Sequence, residues 1–70
     1  MNLSEAIIGD DVTIKDIVTD DEELKSFLFS LGCYSGESIT VVSKKKANYV
    51  LSIKDARYNI DKDLARAIEI

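Results

Sequence analysis

The stretch from Thr19 to Gly32 limits what this chain can fold into more than any other. It alone carries a sustained helical period, and the apolar residues elsewhere fall in runs too short for a second such helix. Leu24, Phe27, Leu28 and Leu31 stand at i, i+3, i+4 and i+7, one apolar stripe. Thr19 and Glu22 have capping-box spacing, and Asp20, Asp21, Glu22 and Glu23 place negative charge at the positive end of the helix dipole. Gly32 stands where a left-handed C-terminal cap belongs. The spacing predicts one helix from about Asp20 to Leu31.

Short alternating runs surround it. Val12, Ile14 and Ile17 predict a first strand from about Asp11 to Val18, with a bulge or an end near Asp16 where the alternation falters. Ile39, Val41 and Val42 mark a strand from Ser38 to Ser43. Tyr49, Leu51 and Ile53 mark another with one buried face, and Lys44 to Asn48 joins the two as a polar hairpin loop. Tyr58 and Ile60 suit a fourth short strand. Asp61 can cap a single helical turn through Leu64 and Ala65, and Ile68 and Ile70 alternate as a last strand. Strands this short leave exposed edges in an open sheet, and closure into a small barrel removes them. The expected fold class is all-β with a small helical element: a five-stranded barrel, one capping helix, and a short helical turn before the last strand.

Seventy residues make one domain, 1–70. A chain of this length buries only about 60% of its unfolded surface, which leaves little material to wall a deep pocket. A single cysteine, Cys33, rules out an internal disulfide and fits a reducing compartment. The N-terminus shows no signal-peptide pattern, and no apolar run approaches the ~20 residues needed to span a bilayer, so a cytoplasmic protein is expected. The net charge of −4 weighs against a nucleic-acid partner. Its distribution is uneven: Asp10, Asp11, Asp16 and Asp20 to Glu23 crowd the first third, whereas Lys44, Lys45, Lys46, Lys54, Arg57 and Lys62 come later.

The residues that catalysis and cofactor binding need are scarce. With no histidine there is no imidazole base and no imidazole ligand. Cys33 has no second cysteine for zinc or iron–sulfur ligation, and a helix C-terminus beside it would raise its thiol pKa. The acids Asp20 to Glu23 fan around a helix start instead of converging, and no spaced calcium-loop pattern occurs. Gly32 and Gly36 lack the Lys-Ser or Lys-Thr of a phosphate loop. No enzyme, cofactor or metal site is expected, and a binding module is.

The segment Leu28-Phe29-Ser30-Leu31-Gly32-Cys33-Tyr34-Ser35-Gly36-Glu37-Ser38-Ile39-Thr40-Val41 resembles the FeoA family of ferrous iron transport accessory proteins. There a helix ends in Leu-Gly, a second glycine follows, and an alternating strand begins. The opening Leu3-Ser4-Glu5 with Gly9, and the ending from Leu64 to Ile70, are similar to the family's first and last segments. The chain departs from the pattern twice. Ser35 stands where members usually have proline, and Lys44-Lys45-Lys46-Ala47-Asn48 replaces a hairpin that often holds proline and glycine. The resemblance implies an SH3-like barrel working with FeoB, a membrane ferrous iron transporter with a cytosolic GTP-binding domain, so that the membrane is reached only through this partner. Self-association, if any, is expected to be weak. The candidate partner surface is Cys33, Tyr34, Ser35 and Gly36 together with the Lys44, Lys45 and Lys46 hairpin, since binding residues favour loops on a rigid scaffold. Alternative readings are an SH3-like regulatory domain of the iron-dependent repressor type, or a small nucleic-acid-binding barrel.

Overall fold

The computed structural model describes all residues, Met1–Ile70. A 3₁₀ turn, Leu3–Glu5, precedes β1 (Asp11–Thr13), β2 (Asp16–Ile17), α1 (Glu22–Ser30), β3 (Ser38–Lys44), β4 (Asn48–Ile53), β5 (Ala56–Asp61), α2 (Lys62–Ala67) and β6 (Ile68–Glu69). Strands β1-β3-β4-β5 form an antiparallel sheet in that order, and β2 pairs with β6 in a separate antiparallel ribbon. The expected small β domain with a capping helix is therefore present, but its strands divide into two sheets instead of closing one continuous ladder.

The division begins at Ile14 and Lys15, which split the run expected to be one strand. Val12 pairs with Ile39 of β3, and Ile17 pairs with Ile68 of β6. Between them the Ile14 N–H donates to the Glu37 carbonyl at 2.9 Å and the Lys15 N–H to the Glu69 carbonyl at 2.7 Å. The chain thus changes partners within two residues while keeping its backbone satisfied. Ile14 and Ile17 still both point inward, so the alternation marked the core correctly and only the pairing was hidden.

The adjacent valines of β3 have a similar explanation. Val41 pairs with Leu51 but Ser43 pairs with Val50, so Val42 is the extra residue of a β-bulge. Tyr49, Leu51 and Ile53 are buried on one face of β4, as their alternation predicts. Lys44 and Asn48 belong to strands, so the hairpin connection shrinks to Lys45–Ala47.

Helix α1 begins two residues later than its capping-box spacing implies. Asp21 is the N-cap: its Oδ1 accepts from the N–H groups of Glu23 at 3.0 Å and Leu24 at 3.2 Å, while Thr19 Oγ1 accepts from the Asp21 N–H. Its apolar face is narrower than the stripe. Leu28 is fully buried and Leu24 and Leu31 pack against the core, but Phe27 is 46% exposed. Phe27 lies about 100° from Leu28 on the helix wheel, beyond the edge of the helix's contact, whereas Phe29, about 100° to the other side, is half-buried against the core. Asp61 caps α2 through the Leu64 N–H at 2.8 Å, as expected, though α2 runs to Ala67.

The 3₁₀ turn is absent from the sequence-based reading, yet it buries Leu3 and Ala6. Its signal was present in Asn2 and Glu5: Asn2 Oδ1 accepts from the Ser4 N–H, and Glu5 Oε1 accepts from the Asn2 N–H. None of the sixteen buried residues is charged, and no buried side-chain nitrogen or oxygen lacks a hydrogen-bond partner.

Candidate functional site

The loop between α1 and β3 carries the best-defined exposed aromatic feature. It starts from a Schellman-type helix end: the Cys33 N–H donates to the Leu28 carbonyl at 3.1 Å and the Gly32 N–H to the Phe29 carbonyl at 3.0 Å, with Gly32 at φ 97°. In that motif the second residue past the cap packs back on the helix. Here it is Cys33, which is buried with Leu28 in the core. Cys33 therefore cannot be the surface residue it was expected to be.

The next residues form a tight turn. The Glu37 N–H donates to the Tyr34 carbonyl at 3.0 Å, and Gly36 takes φ 91°, which a side chain would oppose. Two bonds tie the turn to the strand-switching corner: the Gly36 N–H donates to the Ile14 carbonyl at 2.8 Å, and Ser35 Oγ donates to the Lys15 carbonyl at 2.8 Å. The Ser35 hydroxyl supplies by hydrogen bonding some of the stiffness a proline would supply covalently. The turn is thus a rigid display element.

What it displays is Tyr34. Its ring stacks on Phe29 with centroids 5.6 Å apart and planes 15° from parallel, and it remains 49% exposed. Lys25 Nζ lies 5.9 Å from the centre of the Phe29 ring. Lys54, in the turn between β4 and β5, reaches Glu37 at 3.6 Å. An aromatic pair with Lys25 beside it is therefore held on this turn, and the Lys54–Glu37 ion pair lies at the turn's end. Sequence reasoning missed Phe29, Lys25 and Lys54. The signal for the first two was the i, i+4 spacing of Lys25 and Phe29, off the apolar stripe.

The structure separates the lysine hairpin from this group. Gly36 lies just before the start of β3 and Lys45 just after its end, and a seven-residue strand spans roughly 20 Å. Lys44 is not at the tip at all. It lies in β3, its Nζ donates to the Ser4 carbonyl at 2.9 Å, and it sits 5.8 Å from the centre of the Tyr49 ring. Only Lys45 and Lys46 are exposed cations of that turn.

The sequence profile of the FeoA domain matches residues 1–70. The chain belongs to the FeoA family. A crystal structure of an iron uptake regulatory protein, FeoA, is similar at 27% identity and TM-score 0.83, covering 96% of this chain and 88% of that one. FeoA of Stenotrophomonas maltophilia complexed with zinc, described as a prokaryotic SH3 domain protein, is 18% identical with TM-score 0.88 over 99% of this chain and 87% of that one. A manganese-dependent transcriptional repressor is 20% identical with TM-score 0.88; the alignment covers 97% of this chain but only 39% of the repressor. These last two likenesses show the fold, an SH3-like small β domain. No curated protein matches the chain. In this FeoA-family chain no three Cys, Asp or Glu side chains converge as a metal site would require, and no helix is long and apolar enough to cross a membrane.

Cys33 has a measurable consequence. Burial pushes its thiol from the usual value near 9 up to about 11; desolvation, not the helix end, is the cause. The unfolded chain releases this proton near pH 9 and the folded chain only near pH 11. Between those values the unfolded state binds fewer protons, so stability is full below pH 9 and falls as pH rises through the window, by about 2–3 kcal/mol in total. Urea unfolding at pH 8 to 11 should show this decline, and Cys33→Ala should lose that share of the slope. An unchanged slope in the variant would place the thiol at the surface.

Proposed function

We propose that this protein is a non-catalytic accessory subunit that docks through the Phe29–Tyr34 face onto the cytosolic part of a FeoB-like ferrous iron transporter and modulates its uptake. The observation that carries the reading is the stacked aromatic pair on a hydrogen-bonded turn, in a chain of a family associated with ferrous iron transport. A half-exposed tyrosine backed by a second ring is the kind of anchor that dominates small interfaces. Tyr34, Ser35 and Gly36 present the contact, Lys25 sets a positive charge beside it, Lys54 is ion-paired with Glu37 at the turn's end, and Lys45 and Lys46 lie outside it. The acids at the start of α1 lie at the end of that helix away from Phe29, so the Lys25 ammonium beside the ring favours an acidic group on the partner.

The functional test is anaerobic uptake of labelled ferrous iron by cells that keep the transporter but lack this chain. Uptake should differ from that of the parent cells, and the wild-type chain should restore it. Identical uptake with and without the chain would contradict the proposal.

A further inference from the structure

The four-stranded sheet ends on two unlike edges. β1 is three residues long and carries Asp11. β5 is six residues long, and its pairing with β4 runs from Asn48↔Asp61 to Ile53↔Ala56 without a bulge. The two-residue turn at Lys54 and Asp55, and the Lys62 N–H donating to the Ala47 carbonyl at 3.1 Å, fix the phase of that ladder. Ala56, Tyr58 and Ile60 bond toward β4, which leaves the N–H and C=O groups of Arg57 and Asn59 directed outward, with the Asp61 N–H at the strand's end, the Asp61 carbonyl being taken up by the first turn of α2. No other part of the chain meets the backbone of Arg57 or Asn59. Both side chains are exposed, and Arg57 makes no ion pair. Such an edge has none of the usual protection by proline, bulge or cover.

Read outward, the three residues are a cation, an amide and a carboxylate, evenly spaced and centred on Asn59. We propose that β5 pairs antiparallel with β5 of a second copy of this chain, about a two-fold axis at Asn59, making one eight-stranded sheet across the dimer. In that register Arg57 faces the second copy's Asp61, Asn59 faces its counterpart, and Tyr58 faces the second copy's Ile60. The Asn59 N–H and C=O groups of the two copies then bond each other, and the Asp61 N–H of each copy donates to the Arg57 carbonyl of the other. Asp61 is already held in place, because one carboxylate oxygen accepts from the Leu64 N–H and the other is left for the guanidinium. An extended peptide of uniformly acidic or basic character would match only half of this pattern, whereas a second copy matches all of it. β1 has no cation to answer Asp11 and too few residues to compete.

The contact is small, so a dissociation constant of about 0.1–1 mM is expected, weakening as salt is raised. Sedimentation equilibrium should show a concentration-dependent dimer. Arg57→Glu and Asp61→Lys should each be monomeric, because each homodimer opposes like charges. Their equimolar mixture should associate, because both contacts become attractive. Asn59→Pro, which removes the outward N–H, should also be monomeric. Asp61→Asn keeps the helix cap while removing the charge, and should weaken association in a folded chain. A wild-type protein that stays monomeric to about 2 mM would overturn the proposal. So would a dimer undiminished by Arg57→Glu and Asn59→Pro, a mixture that associates no better than its components, or a β5 edge that binds foreign extended peptides while the chain alone stays monomeric.

Discussion

Replacing Leu28 by alanine is expected to cost about 2–5 kcal/mol, a large part of the roughly 4–10 kcal/mol available to a domain of this length. Leu28 is the one fully buried residue of α1, and it also meets Cys33, where the helix end folds back on the core. Its removal would leave a cavity between helix and sheet and loosen the Schellman turn from which the Tyr34 loop starts. The melting temperature should fall by at least about 10 °C. Phe27→Ala on the exposed flank of the same helix should move it by only a few degrees. Equal effects of the two substitutions would mean that α1 lies on the sheet in another rotation.

That contrast also shows how far the fold could be read from residues alone. The helix, its glycine stop, the inward faces of β3 and β4 and the Asp61 cap are local patterns, and each occurs where its residues imply. The errors share a cause. Phe27 fits the helical period but lies beyond the reach of a short helix. Asp11 to Val18 reads as one strand, because nothing within it says that the partner changes from β3 to β6 at Ile14 and Lys15. The candidate surface joined Tyr34 to Lys44, Lys45 and Lys46 as loops of one scaffold, and a seven-residue strand holds them apart. Cys33 looked like a loop residue, and the Schellman geometry turns it inward. Phe29 meets Tyr34 because the helix-end turn folds the loop back beside α1, and Lys54 reaches that turn through Glu37, a contact distant in sequence.

The second large effect concerns the proposed docking face. Tyr34→Ala should raise the dissociation rate from the transporter's cytosolic domains about tenfold to thirtyfold, the ~1.4–2 kcal/mol expected for a central aromatic anchor. Tyr34→Phe keeps the stacked ring and should retain most of the residence time. Phe29→Ala removes the support beneath Tyr34, so the double variant with Tyr34→Ala should cost little more than Tyr34→Ala alone. Charge acts on a different step. Lys25→Gln with Lys54→Gln should lower the association rate and flatten its salt dependence, while Lys45→Gln with Lys46→Gln, at the far end of β3, should leave the dissociation rate unchanged.

The most direct measurement is therefore the dissociation rate of wild-type and Tyr34→Ala protein from an immobilised cytosolic region of the transporter, with both proteins shown to be folded by their melting curves. The docking account predicts saturable wild-type binding and a release at least about tenfold faster for Tyr34→Ala. Wild-type protein that does not bind, or a folded Tyr34→Ala variant that leaves as slowly as wild type, would contradict it.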